Sequence, residues 1–184
     1  LMKANGGKTR IFAGSKASIT GFIQMGRIKP VLAVNLSGLD ADFQASFPIC
    51  GNQMAEKLLP PSIFKPVGVP EPAIVEIEWD DGGIPYGLTK EWWQEMADCL
   101  FALEGDIVIC CVGGHGRTGT FLAILMALAG MVAEDGDPVK ELRDIYCDAA
   151  VETTPQVSYI ERVTGRIVAE APSDDWGFPY TVVG

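Results

Sequence analysis

The sequence predicts an α/β fold with a central, mostly parallel sheet flanked by helices. Short apolar runs rich in β-branched residues, which are typical of buried strands, lie at residues 31–36 and 106–111. Helix-forming segments with recognisable N-terminal caps alternate with these runs along the chain. Because strands that alternate with helices usually form one sheet with helices packed on its faces, this order favours the α/β class.

The predicted strands differ in how much of their surface is apolar. Residues 31–36 (VLAVNL) and 106–111 (DIVICC) are nearly continuous apolar runs, as expected for strands that are buried on both faces. Residues 74–79 (IVEIEW) alternate apolar and acidic side chains, which indicates a strand with one face in water. The intervening residues 38–72 contain six prolines and are predicted to form an irregular connection.

Four helices are predicted from capping signals and apolar periodicity. The first runs from the N-cap Thr89 to about residue 103, and the second is an almost wholly apolar helix over residues 118–132. The other two begin where an N-cap residue precedes proline, at residues 137–138 and 154–155. The last of these helices is expected to end near residue 163.

Composition indicates one folded domain and disfavours several classes of partner. The 184 residues are 48% hydrophobic and 21% charged, which suits a single domain, with residues 1–10 as a flexible N-terminus and 166–184 as a C-terminal tail. The net charge of −10 disfavours nucleic acids and anionic membranes as partners, because like charges repel. The longest apolar run, residues 121–132, is too short to span a bilayer. A cytoplasmic protein is therefore predicted.

The five cysteines are predicted to be free thiols. Their number is odd, and a disulfide between the adjacent Cys110 and Cys111 would be strained, so a reducing compartment is expected. The sequence has one histidine, His115, and no paired-ligand spacing, so neither a metal nor a cofactor is predicted. Strand alternation directs Cys110 away from Cys111. Four cysteines are interpreted as small buried hydrophobes: Cys50, Cys99, Cys110 and Cys147.

The segment CVGGHGRTGT, which joins the last predicted strand to the apolar helix, carries the candidate chemistry. Gly113, Gly114 and Gly116 allow backbone conformations that turn successive N–H groups inward as an anion nest. The helix N-terminus adds positive potential, and Arg117 offers a planar fork for two phosphate oxygens. This field favours the thiolate form of Cys111, which would lie where it can attack a bound phosphate ester.

A Cys-X5-Arg-Thr-Gly sequence between a strand and a helix resembles the signature loop of the protein tyrosine phosphatase superfamily, which includes the dual-specificity phosphatases. The resemblance covers roughly residues 31–163 and implies a cysteine-phosphatase-like fold. It also implies hydrolysis of phosphate monoesters in two steps through a phosphocysteine, without a metal, with the Thr118 hydroxyl assisting departure of the thiolate. The residues implied to bind phosphate are Val112, Gly113, Gly114, His115, Gly116 and Arg117.

Two further features match this superfamily. Its members carry a general-acid aspartate about thirty residues before the cysteine, and Asp81 precedes Cys111 by 30 residues. The Asp-Asp-Gly sequence is similar to that of the phosphatases of regenerating liver, in which the second aspartate is the acid, so Asp81 is preferred over Asp80. Gln156, near the start of the last helix, is similar to a family glutamine that orients the hydrolytic water. In a departure from the family, Cys110 replaces the histidine that usually precedes the nucleophile.

The sequence leaves several functions open. The first is a hydrolase acting on phosphotyrosine, phosphoserine or phosphothreonine in proteins, and an RNA or small-molecule phosphatase of the same family is an alternative. A catalytically weak phosphate-binding module is another, although the presence of Cys111, Arg117 and Asp81 argues against it. A rhodanese-like sulfurtransferase needs neither the acid nor the threonine. Val112 and Gly113 replace lysines expected for binding inositol phosphates, so lipid substrates are disfavoured.

Overall fold

The structure is a computed structural model that describes residues 2–37, 73–77 and 79–169. The connection predicted over residues 38–72 and most of the predicted tail lie outside the described residues, so the single domain stays a prediction. The strands are β1 Met2–Ala4, β2 Thr9–Ser15, β3 Pro30–Asn35, β4 Ala73–Glu76 and β5 Gly105–Cys111. The helices are α1 Lys16–Gln24, α2 Lys90–Ala102, α3 Gly116–Leu128, α4 Pro138–Ile145 and α5 Thr154–Thr164.

The strands form one five-stranded sheet in the order β1-β2-β5-β3-β4. The pairs β2–β5, β5–β3 and β3–β4 are parallel, and β1 adds an antiparallel edge, which confirms the predicted central, mostly parallel sheet. Ser15 of β2 lies opposite Cys111 of β5, and Asn35 of β3 lies opposite Cys110. The carboxyl ends of three parallel strands therefore meet at one edge, which is where α/β sheets place their binding sites.

Helices cover both faces of the sheet. The larger core contains apolar side chains from α2, α3, α4 and α5, together with Cys111. The smaller core packs Ile19 of α1 against sheet residues that include Val108 and Cys110. Adjacent cysteines thus point to opposite faces, as strand alternation predicts.

Helix α3 lies at the centre of the molecule, and nearly all of its side chains are buried. It packs against α2, α4, α5 and β5, which explains why the helix is apolar on every side. The helix predicted over residues 118–132 spans Gly116–Leu128 in the structure. The helix begins two residues earlier, with an N–H of Gly119 donating to the carbonyl of His115 over 2.7 Å. It ends earlier because Gly130 adopts a left-handed φ of +67° just beyond the last turn.

The observed ends of two other elements, β4 and α5, also differ from the predicted ones. Strand β4 ends at Glu76, and one further pairing hydrogen bond follows among the described residues, from the N–H of Ile77 to the carbonyl of Asn35 (2.9 Å). Thr153, and not Thr154, is the N-cap of α5, and its hydroxyl accepts from the N–H of Gln156. The proline is tolerated one position further into the first turn, where backbone N–H groups need no helical partner. The N-caps Thr89 and Asp137 are confirmed.

Residues 1–10 are predicted from their polar, glycine-rich composition to be flexible, whereas the structure places half of them in the sheet. Met2–Ala4 forms β1, and residues 9–10 begin β2. The side chain of Arg10 donates through Nε to Asp106 of the neighbouring strand over 2.6 Å. Pairing of β2 with β5 stabilises a segment that begins with few strand-forming residues. Helix α1 was likewise not predicted.

An aromatic cluster joins three elements of the larger core. Trp93 of α2 is completely buried, and its Nε1–H donates to the hydroxyl of Tyr159 in α5 over 2.7 Å. Its ring meets Phe121 of α3 edge to face, with centroids 5.0 Å apart, and Trp79 lies 6.5 Å away in a similar orientation. The indole N–H of Trp79 donates to the carbonyl of Gly83 over 2.8 Å, so the cluster also anchors the loop that follows β4.

Replacing Trp93 by alanine is expected to lower the free energy of unfolding by about 3–5 kcal/mol, the usual result of truncating a buried aromatic side chain. Trp92 is the matched control, because it is the adjacent residue of the same type but is only partly buried. Trp92→Ala is expected to lower the free energy of unfolding clearly less than Trp93→Ala does. Urea-induced unfolding followed by circular dichroism measures both variants, and equal losses would contradict a central role for Trp93.

Candidate active site

The predicted nucleophile, Cys111, is the last residue of β5 and is 2% exposed. Residues 112–117, here called the phosphate loop, turn the chain into α3, which begins at Gly116. The thiol therefore lies directly before a helix N-terminus. The N–H of Gly114 also donates to Sγ of Cys111 over 3.1 Å. A helix N-terminus and a backbone donor both stabilise negative charge at this sulfur.

The loop glycines, which are predicted to act together in an anion nest, have different structural roles. Gly114 has a left-handed φ of +83°, and a Cβ atom there would lie 2.5 Å from the carbonyl carbon of Gly14 and closer still to the nitrogen of Ser15. Only glycine allows the loop to pack this tightly against the junction of β2 and α1. At Gly113 a Cβ would meet only the ring of His115, at an ordinary 3.5 Å.

Gly116 is needed for close approach to other side chains. A Cβ atom there would lie 2.9 Å from Nε2 of Gln156 and closer still to a carboxylate oxygen of Glu152. The predicted site residue Gln156 therefore packs against the loop, and so does Glu152. Sequence reasoning missed Glu152, because a glutamate just before a helix N-cap carries no distinctive signal.

Arg117 is 6% exposed and connects the phosphate loop to the segment after β4. Its Nη1 donates to the carbonyl of Trp79 over 2.9 Å, and its Nη2 forms an ion pair with Asp81 at 2.9 Å. The third donor of the guanidinium, Nε, is buried and has no partner among the described residues. The Nε donor thus stays available to a ligand, and the Nη2 donor is paired with the exposed carboxylate of Asp81.

Residues 79–83, here called the acid loop, bring Asp81 to the site. Asp80 and Gly83 form a turn in which the N–H of Gly83 donates to the carbonyl of Asp80 over 3.0 Å. Gly82, with a φ of +67°, accepts a hydrogen bond at its carbonyl from the hydroxyl of Thr153 (2.8 Å). This conformation brings the carboxylate of Asp81 to Arg117, while its side chain stays 86% exposed. The described contacts give Asp80 a role in the turn.

Three buried polar atoms in this region have no hydrogen-bond partner within the described part of the chain: Arg117 Nε, Thr118 Oγ1 and Gln156 Nε2. All three belong to residues that the sequence analysis proposes for the site. A buried donor without a partner raises the free energy of the folded state, so such groups usually persist where a ligand or water satisfies them. Their concentration here indicates a binding site for an anion and water.

Two residues after α4 support the phosphate loop. The hydroxyl of Tyr146 donates to the carbonyl of Gly114, and burial raises the pKa of this phenol well above its ordinary value, so it keeps its proton. Nδ1 of His115 lies 3.2 Å from Sγ of Cys147. His115, which was expected to add substrate contacts, thus faces Cys147 from within the loop. Cys147 is only partly buried, so its interpretation as a simple hydrophobe is corrected.

Two further described cysteines, Cys110 and Cys99, lie outside the phosphate loop. Cys110 is fully buried in the smaller core, and burial raises the pKa of its thiol to about 12, which keeps it neutral and unreactive. This is consistent with its predicted structural role. Cys99 is partly exposed on α2, so its interpretation as a buried hydrophobe is also corrected, and Cys50 lies outside the described residues.

Across residues 2–37, 73–77 and 79–169, no group of three or more His, Cys, Asp or Glu side chains is arranged to hold a metal ion. No helix in those ranges combines the length and apolar character needed to cross a membrane.

Gly114→Ala is expected to abolish vanadate binding, because the new Cβ would strain a left-handed backbone and displace the loop from Gly14. Gly113→Ala is the matched control, since its Cβ has room, and it is expected to bind vanadate almost as well as the unmodified protein. Isothermal calorimetry measures both affinities. Equal affinities of the two variants would show that close packing of Gly114 does not shape the anion site.

The chain is similar to known proteins in both sequence and fold. The profile of the family described as protein-tyrosine phosphatase matches residues 74–161, which include the acid loop, the phosphate loop and Gln156. Two uncharacterized proteins of Methanocaldococcus jannaschii, MJ0215 and MJECL20, are 42% identical over 81 residues and 44% identical over 55 residues. These alignments cover 44% and 30% of this chain. They span 48% and 35% of the two relatives, so this chain accounts for about half of their length or less.

One solved structure shares the fold of this chain. The crystal structure of Tk-PTP in the active form has a TM-score of 0.52 and 17% sequence identity, and the superposition covers 88% of this chain and 94% of that chain. The parallel sheet and the loop between β5 and α3 account for the predicted cysteine-phosphatase-like fold. The profile match over residues 74–161 and the shared fold together confirm the resemblance seen in the sequence, which is to the protein tyrosine phosphatase superfamily.

Proposed function

We propose that the protein is a phosphatase that hydrolyses phosphate monoesters through a covalent intermediate on Cys111. The observation that carries this proposal is the convergence of the Cys111 thiol, the Arg117 guanidinium and the buried unpartnered polar atoms at one helix N-terminus. A tetrahedral oxyanion bound there would satisfy those donors. Its phosphorus would lie beside a sulfur nucleophile.

In the first step, phosphate oxygens bind the N–H groups of the phosphate loop and the guanidinium of Arg117. The Cys111 thiolate attacks phosphorus, and the bond from phosphorus to the leaving oxygen breaks. The leaving oxygen needs a proton, and Asp81 supplies it from the mouth of the site. Its 2.9 Å contact with Arg117 supports this role, because the same guanidinium would hold the phosphate.

In the second step, water attacks the phosphocysteine and Cys111 leaves as a thiolate. Thr118 lies in the first turn of α3, and its buried hydroxyl has no partner among the described residues. It is therefore available to donate a hydrogen bond to the departing sulfur. Gln156 belongs to the site because its buried amide packs beside Gly116.

Proteins carrying phosphotyrosine, phosphoserine or phosphothreonine are the proposed substrates, with small phosphoesters as the alternative. Arg117 is the one residue of the phosphate loop with a permanent positive charge, and Val112, at the start of the same loop, is apolar and 63% exposed. This surface suits a single phosphate on an uncharged or apolar group better than a polyanion. A thiolate nucleophile also requires the reducing environment of the cytoplasm, which is the proposed location.

Cys111→Ser is expected to eliminate hydrolysis of p-nitrophenyl phosphate while preserving vanadate binding, because serine lacks a stable anion at neutral pH but leaves the loop donors in place. Cys99→Ser, at a partly exposed position on α2, serves as the control and should retain full activity. Turnover in the Cys111 variant would refute the covalent mechanism. Vanadate binding without turnover in the unmodified protein would instead favour a phosphate-binding module.

Asp81→Asn is expected to slow hydrolysis of an alkyl phosphate about 10²-fold or more and to slow an activated aryl phosphate much less, since only the poor leaving group needs a proton. It should also flatten the alkaline side of the pH–rate profile, which reports the protonated acid. Asp80→Asn, the adjacent control, should change neither property. The reverse pattern would assign the acid to Asp80, and no effect in either variant would place the acid elsewhere.

A further inference from the structure

The residues just before α5 adopt a strained conformation against the phosphate loop. Val151 has a φ of +65° and is the one residue other than glycine with positive φ in the described ranges. Such a backbone is unfavourable for a β-branched residue and persists only when its surroundings hold it. The surroundings do so here, since Arg143 donates to the carbonyl oxygens of Ala150 (3.0 Å) and Val151 (3.2 Å). The N–H of Val151 in turn donates to the carbonyl of His115 in the loop over 3.4 Å.

The strained residue directs the next side chain, Glu152, at Gly116 of the phosphate loop. A carboxylate oxygen of Glu152 lies so close to Gly116 that the loop has no room for a Cβ atom there. Glu152 is partly exposed, whereas Gln156 is completely buried. Of the two polar side chains that pack on Gly116, the carboxylate is thus the one that water can reach.

Gln156 holds this arrangement in place. Its Oε1 accepts a hydrogen bond from the N–H of Glu152 over 2.9 Å, which fixes both the amide and the backbone that carries the carboxylate. Its Nε2 is the buried donor without a described partner, and it lies on the same side of Gly116 as the Glu152 carboxylate. The contacts therefore make Gln156 a support for Glu152.

The same segment also contacts the acid loop. The hydroxyl of Thr153, the residue after Glu152, donates to the carbonyl of Gly82, the residue after Asp81 (2.8 Å). Glu152 therefore lies in a short bridge between the phosphate loop and the acid loop. In an in-line reaction, the water of the second step must enter at the position that the leaving group vacated, and Asp81 serves that same position.

We propose that Glu152 binds and orients the water that hydrolyses the phosphocysteine, an inference that rests on the proposed function. The Glu152 carboxylate accepts a hydrogen bond from one O–H of the water. The other proton passes to Asp81, which lost its own proton to the leaving group in the first step. The new bond from oxygen to phosphorus forms as the bond from phosphorus to Sγ breaks, and Cys111 leaves with the electron pair as inorganic phosphate is released. Gln156 acts through Glu152 as a positioning residue.

The test is pre-steady-state hydrolysis of p-nitrophenyl phosphate by Glu152→Ala, Glu152→Gln and a control, Glu95→Ala, at an exposed glutamate of α2. Loss of water orientation should slow the second step alone. Glu152→Ala is therefore expected to keep a burst of one equivalent of nitrophenol, while its steady-state rate falls about 10- to 100-fold. Mass spectrometry after acid quenching should show accumulated phosphocysteine. Glu152→Gln, which keeps a hydrogen-bond acceptor, should lose less, and Glu95→Ala should match the unmodified protein.

Vanadate affinity distinguishes this role from a structural one. The proposal requires that both Glu152 variants bind vanadate as tightly as the unmodified protein, because the phosphate loop stays intact. Weakened vanadate binding in both variants, or a burst slowed as much as the steady state, would overturn it. Absence of a burst and of phosphocysteine in every protein, including the unmodified one and Glu95→Ala, would refute the covalent mechanism and the role of Glu152 with it.

Discussion

The arrangement of the site depends on the hydrogen bond and the ion pair that the buried guanidinium of Arg117 makes. A buried charge is stable only when it is paired and hydrogen-bonded, and Arg117 finds its partners on a different segment, at Trp79 and Asp81. One side chain thus joins the phosphate loop to the acid loop. In the proposed reaction, an incoming phosphate would compete with Asp81 for Nη2, so substrate binding and placement of the acid would be coupled through one guanidinium.

The acid loop is attached at several points, and each attachment leads back to the core or to α5. The indole of Trp79 packs in the aromatic cluster around Trp93 and donates to Gly83, while Thr153 donates to Gly82. Asp81 is therefore an exposed carboxylate on a loop whose neighbours are anchored. This combination suits an acid that must remain accessible to substrate and yet return to one position.

Sequence patterns gave the most accurate predictions for features that depend on residues close together along the chain. The caps at Thr89 and Asp137, the buried strand before Cys111 and the loop from strand to helix all follow from local hydrogen bonding and apolar periodicity. Strand β1 and the start of β2 were missed, because pairing of β1 with β2 and of β2 with β5 stabilises a polar segment that local propensity disfavours. Helix α1 was also missed. The N-cap of α5 was misplaced by one residue, because two adjacent threonines precede the proline and it is the Thr153 hydroxyl that accepts from the N–H of Gln156.

The sequence by itself determined the class of fold and the chemical groups of the signature loop, since a thiol, glycines and an arginine at fixed spacing lie next to one another along the chain. Tertiary structure decided which distant groups reach that loop. It brought Asp81 to Arg117, turned His115 toward Cys147 and placed the carboxylate of Glu152 against Gly116. These contacts depend on backbone directions set by packing between elements far apart in sequence, such as the strained Val151, and periodicity along one segment carries no information about them.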